Sequence, residues 1–308
     1  MADITGRTPP DGLEPVWIPT PPKLPEETIF LNPPTPAADD AVAGHDALPL
    51  GGKAIDTAYV PILGERVRRA RRQPAMSDRA LALIEILFAS GIVSNTAAYA
   101  VIQAMYGVDP ERLLRSPRIL FYFLLLDTIL LLFTIYFFLR LRRRNFVDLG
   151  LSTRAFGANI GYGLLSVLGL LLLTGVISAI FKHWLPDLYM TTNPMLEVIQ
   201  SPTDLAYFLA SGILAGGLRE EIQRAFVLTR FKEYLFGALP GLIIWSVFFG
   251  YLHYTMQSLQ GAVITGLIGF CLGLLFLWRH NLYGPIAGHA AFNTIQLIWF
   301  WCAYRSGA

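Results

Sequence analysis

Glu220, Glu221 and Arg224 stand together inside an otherwise apolar stretch, His253 follows in a second such stretch, and His289 and Asn293 lie one helical turn apart in a third. An ionisable group at bilayer depth costs about 2.5–3.5 kcal/mol or more to insert, so such groups face the interior of a helix bundle and mark function by default. Three segments each bearing that cost predict one shared polar pocket. Burial and a neighbouring guanidinium pull a carboxylate's proton affinity in opposite directions, which suits a glutamate to act as a general base on water. Arg224 lies four residues after Glu220 and three after Glu221, so either carboxylate can share its helix face. Neutral imidazoles of His253 and His289 could orient the water, bind a metal or donate to a developing oxyanion. Asn293, at i+4 from His289, faces the same way and adds an amide donor. A base, a water site and oxyanion donors are the minimum for peptide hydrolysis. Taken singly, each element has a plainer reading: a structural ion pair for Glu–Arg, and hydrogen-bonded bundle residues for the histidines and the asparagine.

These residues must be carried by membrane-crossing elements. Hydrophobic residues make up 54% of the 308, charged residues 15%, and mean hydropathy is +0.49. A soluble domain carries about 25% charged residues, and here most charges precede Arg79 or sit in short loops. The expected fold is all-α: a polytopic transmembrane bundle of about seven to eight helices behind a disordered N-terminal tail. Ala80–Met105, Ile119–Leu139 and Gly157–Phe181 are the first three spans. Leu205–Leu218 continues through the glutamates to Phe231 as one helix from about Thr203, and Pro240–His253, Gln260–Trp278 and Leu282–Ala303 complete seven. An eighth requires one re-entrant region. Gly261, Gly266, Gly269 and Gly273 give the sixth span a small-residue face that lets backbones approach closely.

The chain divides into a Pro-rich tail (1–78), two N-terminal spans (79–145) and a core (146–308) that holds every motif residue. Most of the 20 prolines lie in the tail, which ends in the basic cluster Arg66, Arg68, Arg69, Arg71 and Arg72. Beside a first span such a cluster is expected to stay cytoplasmic against anionic lipid, and it gives no reason to expect nucleic acid. Arg140, Arg142, Arg143, Arg144 and Arg154 after the second span, Arg230 and Lys232 after the fourth, and Arg279 after the sixth agree with a cytoplasmic N-terminus. The loop with Arg112, Arg115 and Arg118 dissents, softened by Asp109 and Glu111. No secretory signal peptide opens the chain. Cys271 and Cys302 lie in apolar stretches without zinc or disulfide spacing. Glu85 and Asp127 lie within spans and join no motif; Asp127 is expected to bond a neighbouring helix.

The His-Glu-x-x-His zinc signature is absent, as is Gly-x-Ser-x-Gly. Any metal, zinc or another divalent ion, would need ligands from separate helices, two His plus Glu or Asn, with Glu220, His253 and His289 as the first such set. The three motifs resemble those of the CPBP intramembrane proteases, the family of type II CAAX prenyl endopeptidases and of bacteriocin-processing and immunity (Abi) proteins. Phe249 to His253 and His289 to Asn293 match the family's Phe-x-x-x-His and His-x-x-x-Asn in full. Its Glu-Glu-x-x-x-Arg is departed from, since two residues rather than three separate Glu221 from Arg224. Anchoring on the glutamates makes Glu220 the base, with Glu221 and Arg224 in support; anchoring on the arginine places Arg219 at the base position; and a slipped register makes Glu221 the base. The resemblance covers roughly residues 146–300. It implies a CAAX-type intramembrane endopeptidase, metallo- or glutamate-dependent, acting on a lipidated or membrane-embedded protein or peptide, with His253 holding the water or a metal and His289 and Asn293 stabilising the oxyanion. The alternatives are a non-catalytic membrane binding or immunity protein and, behind it, a proton-coupled transporter.

Overall fold

The computed structural model describes residues 74–191 and 194–306, which form helices joined by short connections, with no β-strand among them. The tail before residue 74, with its basic cluster, lies outside the described residues. The first predicted span is two helices, α1 (Met76–Ala89) and α2 (Ile92–Tyr106), broken at Ser90 and Gly91. Gly91 sits at φ 91°, a left-handed conformation that costs glycine little, and a Cβ there would also meet Arg219 Nη2 at 2.8 Å. A short helix, α3 (Pro110–Arg115), starts on the side chain of Asp109 and precedes α4 (Pro117–Leu141). The long α5 (Phe156–Trp184) follows.

The predicted fourth helix is one continuous rod with an unexpected middle. Its first part, α6 (Pro202–Ser211), opens on a capping box in which Ser201 Oγ accepts from the Asp204 amide and Asp204 accepts from the Ser201 amide. Gly212–Arg219 is a π-helical turn, and Glu220 then begins α7 (Glu220–Tyr234). Helix α7 is the least apolar of the long helices and the most enclosed: Ile222, Ala225, Phe226, Val227 and Leu228 are all buried, packed with Ala89, Leu131 and Leu242 of three other helices. Glu221, Gln223, Arg224 and Arg230 are buried with them and face protein rather than lipid.

Ala238–Arg279, here α8, is two helices joined end to end, whose 42 residues would reach about 63 Å if straight, twice a bilayer core. The chain reverses instead at Ser258 (φ 66°, ψ 177°). A Cβ on Gly250 would meet Gly266 Cα at 3.3 Å, so residues 16 apart in sequence touch and the arms 238–257 and 259–279 lie side by side. These arms are the two spans read separately from sequence. The last helix, α9 (Tyr283–Ser306), packs on α5 through glycine: a Cβ on Gly288 would come within 2.8 Å of the Gly163 carbonyl oxygen.

Met76–Tyr106, Pro117–Leu141, Phe156–Trp184 and Ala238–Arg279 are each long and apolar enough to cross a membrane. The chain is an all-α integral membrane protein. Near one end of the bundle the fully buried Glu85 pairs with Arg230 of α7 and accepts from Arg142 Nε at 2.6 Å, which ties α1 to α7 and to the end of α4. Glu85 thus holds helices together and takes no part in the pocket.

Candidate active site

Five of the six motif residues converge where the π-turn and the start of α7 meet α9. Glu221 is 1% exposed, and its two carboxylate oxygens are taken by different partners: Oε1 accepts from His289 Nδ1 at 2.7 Å, and Oε2 pairs with Arg224 Nη1. Arg224 is reached at i+3, on the same face that i+4 would serve, so the shortened spacing of the first motif still closes an ion pair. The pair is a close charge contact without an aligned hydrogen bond, and Arg224 Nε and Nη2 have no acceptor among the described residues. The guanidinium lies 5.3 Å from the Phe249 ring centroid and is closed in by Gly269, where a Cβ would stand 3.2 Å from Nη2.

Glu220 is placed differently. It is 100° further around the helix, its side chain is 14% exposed, and its Oε2 stands 3.9 Å from His289 Nε2. That separation is too long for a direct hydrogen bond and suits two groups that share a small third one. With His289 Nδ1 donating to Glu221, Nε2 is the lone-pair nitrogen turned towards Glu220. Asn293, one turn along α9, donates from Nδ2 to the Gly212 carbonyl oxygen at 3.2 Å.

His253 is held within its own helix: Nδ1 lies 2.8 Å from the Phe249 carbonyl oxygen and the two rings are 4.6 Å apart. Phe249 therefore stands between His253 and Arg224, touching both. Nδ1 donating to that carbonyl leaves Nε2 as the free nitrogen of a half-buried ring. Among the described residues no three His, Cys, Asp or Glu side chains gather closely enough to hold a metal ion. Glu220, His253 and His289 as arranged do not fit a metal cage.

Two neighbours of the site were not singled out by motif. Arg219, directly before Glu220, turns to the buried Asp127 (Nη2 to Oδ2, 2.7 Å), and Ser94 Oγ donates to the other oxygen of that carboxylate at 2.5 Å. Asp127 thus bonds two neighbouring elements, as expected of it. Arg219 is committed to that pair, which leaves Glu220 and Glu221 as the carboxylates of the site. The second is the π-turn itself, for which Gly212, Gly216 and Gly217 within one helix were the available signal. A groove of about 490 Å³ lies elsewhere, between the arms of α8 along Ser246, Gly250, Tyr254, Ala262, Gly266 and Phe270, and its lining is almost wholly apolar.

Residues 201–295, which contain all six motif positions, match the family model described as Type II CAAX prenyl endopeptidase Rce1-like. This match bears out the resemblance to the CPBP proteases. No curated protein and no solved structure matches the chain.

Proposed function

We propose that the chain is an intramembrane endopeptidase that hydrolyses a peptide bond of a lipidated CAAX-type protein or a membrane-associated peptide precursor. The observation that carries the reading is the 3.9 Å gap between Glu220 Oε2 and His289 Nε2, with His289 fixed from behind by Glu221. A water in that gap gives one proton to Glu220 as its oxygen attacks the scissile carbonyl carbon. His289 Nε2 accepts a hydrogen bond from the water's other O–H and so aims its lone pair. The sequence alone grouped His289 with Asn293 as oxyanion donors; a ring whose Nδ1 donates to Glu221 is better suited to orienting water. The Asn293 amide donates to the oxyanion, and protonated Glu220 then delivers its proton to the leaving amine as the C–N bond breaks. Glu221 and Arg224 hold His289 in place, while His253 stands on the other side of Phe249 from Arg224 and takes no proton in this step.

The substrate class rests on the matched family's name, and the test is direct. Mass spectrometry of membrane-protein termini in cells expressing wild type or Glu220→Ala is expected to show new termini with wild type only. Identical terminus profiles would remove the hydrolytic reading.

The same reading places the N-terminus in the cytoplasm. Supporting it, Arg142 and Arg144 lie at the end of α4 and Arg279 at the end of the second α8 arm. The dissenting loop is partly neutralised, with Arg115 paired to Glu111 at 2.5 Å and Arg112 near Asp109. Single cysteines placed at Arg143 and at Arg112 in a chain lacking Cys271 and Cys302 are expected to label from opposite sides of sealed vesicles, Arg112 from outside. The reverse pattern would invert the orientation.

A further inference from the structure

Asn293 can stabilise an oxyanion only if its amide is held open to the gap beside Glu220, and nothing in the three motifs holds it there. This argument rests on the hydrolytic reading. The contacts of Asn293 run to the π-turn: its Nδ2 donates to the Gly212 carbonyl oxygen at 3.2 Å, and a Cβ on Gly212 would lie 3.4 Å from the Asn293 Cβ. Four residues on, a Cβ on Gly216 would overlap Asn293 Nδ2 and stand 3.4 Å from His289 Nε2. The tips of both α9 residues therefore converge over the bare Cα of Gly216.

We infer that the π-turn Gly212–Arg219 is the seat of the Asn293 amide, with Gly212 and Gly216 as positioning residues. The Gly212 carbonyl takes one of the two Nδ2 hydrogens and fixes the amide plane. The second hydrogen is left for a substrate oxygen. Gly216 supplies the room, since any side chain there occupies the volume that Nδ2 needs. The π geometry explains why two glycines four apart serve one side chain. Bonding from i to i+5 widens the turn, so residues four apart stack more nearly in line along the axis than in an α-helix. The turn is anchored at its end by Arg219 on Asp127, and directly beyond it the chain presents Glu220. One local distortion thus sets the base and the oxyanion donor against each other.

A double-mutant cycle between Gly216→Ala and Asn293→Ala tests this, read as kcat and KM on a farnesylated CAAX peptide in detergent micelles and, separately, as melting temperature. Gly216→Ala is expected to lower kcat about 100-fold, the loss typical of one oxyanion donor, with KM within about threefold. In the Asn293→Ala background the same change is expected to cost less than about threefold more, because the amide it displaces is gone. Melting is expected to be non-additive in the same sense: Gly216→Ala lowers the midpoint in wild type and by clearly less once Asn293 is truncated. Gly217→Ala is the control. Its Cβ would press on Ala290 Cβ at 2.9 Å rather than on Asn293, so its melting loss is expected to be the same in both backgrounds. Should Gly216→Ala fail to insert, the double variant is expected to insert. Additive losses in kcat or in melting, or failure of both variants to insert, overturn the inference. Absence of any cleavage by wild type removes the hydrolytic reading instead, and the melting cycle then still decides whether the turn seats Asn293.

Discussion

Glu220→Gln is expected to lower kcat for peptide cleavage by about 10²–10⁴-fold, the range of a lost general base, without unfolding the protein. Glutamine keeps the shape and removes the ability to take a proton. The structural cost is small because Glu220 is partly exposed and its Oε2 stands 3.9 Å from His289 Nε2, so no tight ion pair is broken. Glu221→Gln has a different signature. It strips the carboxylate that pairs with Arg224, leaves a buried cation unpaired, and is expected to lower the melting midpoint together with activity. Steady-state kinetics and melting on the two variants therefore tell base from support. A Glu220→Gln protein that cleaves at the wild-type rate would sink the assignment of the base. A non-catalytic peptide-binding protein would bind substrate equally well in wild type and variant while cleaving it in neither. A transporter would show a Glu220-dependent proton flux in liposomes.

The parts of this site that sequence can reveal are those carried by composition and by local spacing. An ionisable residue inside an apolar run is conspicuous wherever the chain goes, so Glu220, Glu221, Arg224, His253 and His289 stand out. Asn293 is placed with His289 because i+4 alone puts them on one helix face. The two spans that became the arms of α8 were legible because the apolar pattern weakens around Gln257 and Ser258, where the chain reverses.

The choice between Glu220 and Glu221 is of another kind. Both lie within one turn of Arg224, and helical spacing accepts either. It is a contact 68 residues away, His289 Nδ1 on Glu221, that separates them, and such a contact is set by how α9 packs on the π-turn directly before α7. The break at Gly91 and the π-turn were hidden for a related reason. A glycine in an apolar helix reads as a packing site, and no periodicity distinguishes i to i+5 bonding from i to i+4. The partner of Asp127 is hidden too, because Arg219 stands 92 positions along the chain on a helix that only tertiary packing brings beside it.

Arg224→Met is expected to destabilise the protein by about 3–5 kcal/mol, the usual cost of removing one member of a buried ion pair. Methionine fills much of the same volume between Phe249 and the α8 backbone, where Gly269 and Gly273 lie close enough that a Cβ on either would stand 3.2–3.3 Å from the arginine. What is lost is charge: Glu221, 1% exposed, keeps only its hydrogen bond from His289. Arg224→Lys is expected to recover part of the loss at most, since an ammonium on a thinner stem cannot fill the slot of a planar guanidinium beside an aromatic ring. The informative variant is the double one, Arg224→Met with Glu221→Gln. It leaves no buried charge uncompensated while keeping an oxygen to accept from His289 Nδ1, so its unfolding midpoint in a mixed-micelle titration is expected to lie well above that of Arg224→Met alone. A double variant no more stable than the single one would mean that Arg224 acts by packing and that Glu221 is not held by its charge. In that case the ion pair would no longer explain why Glu221, rather than Glu220, is bound to His289.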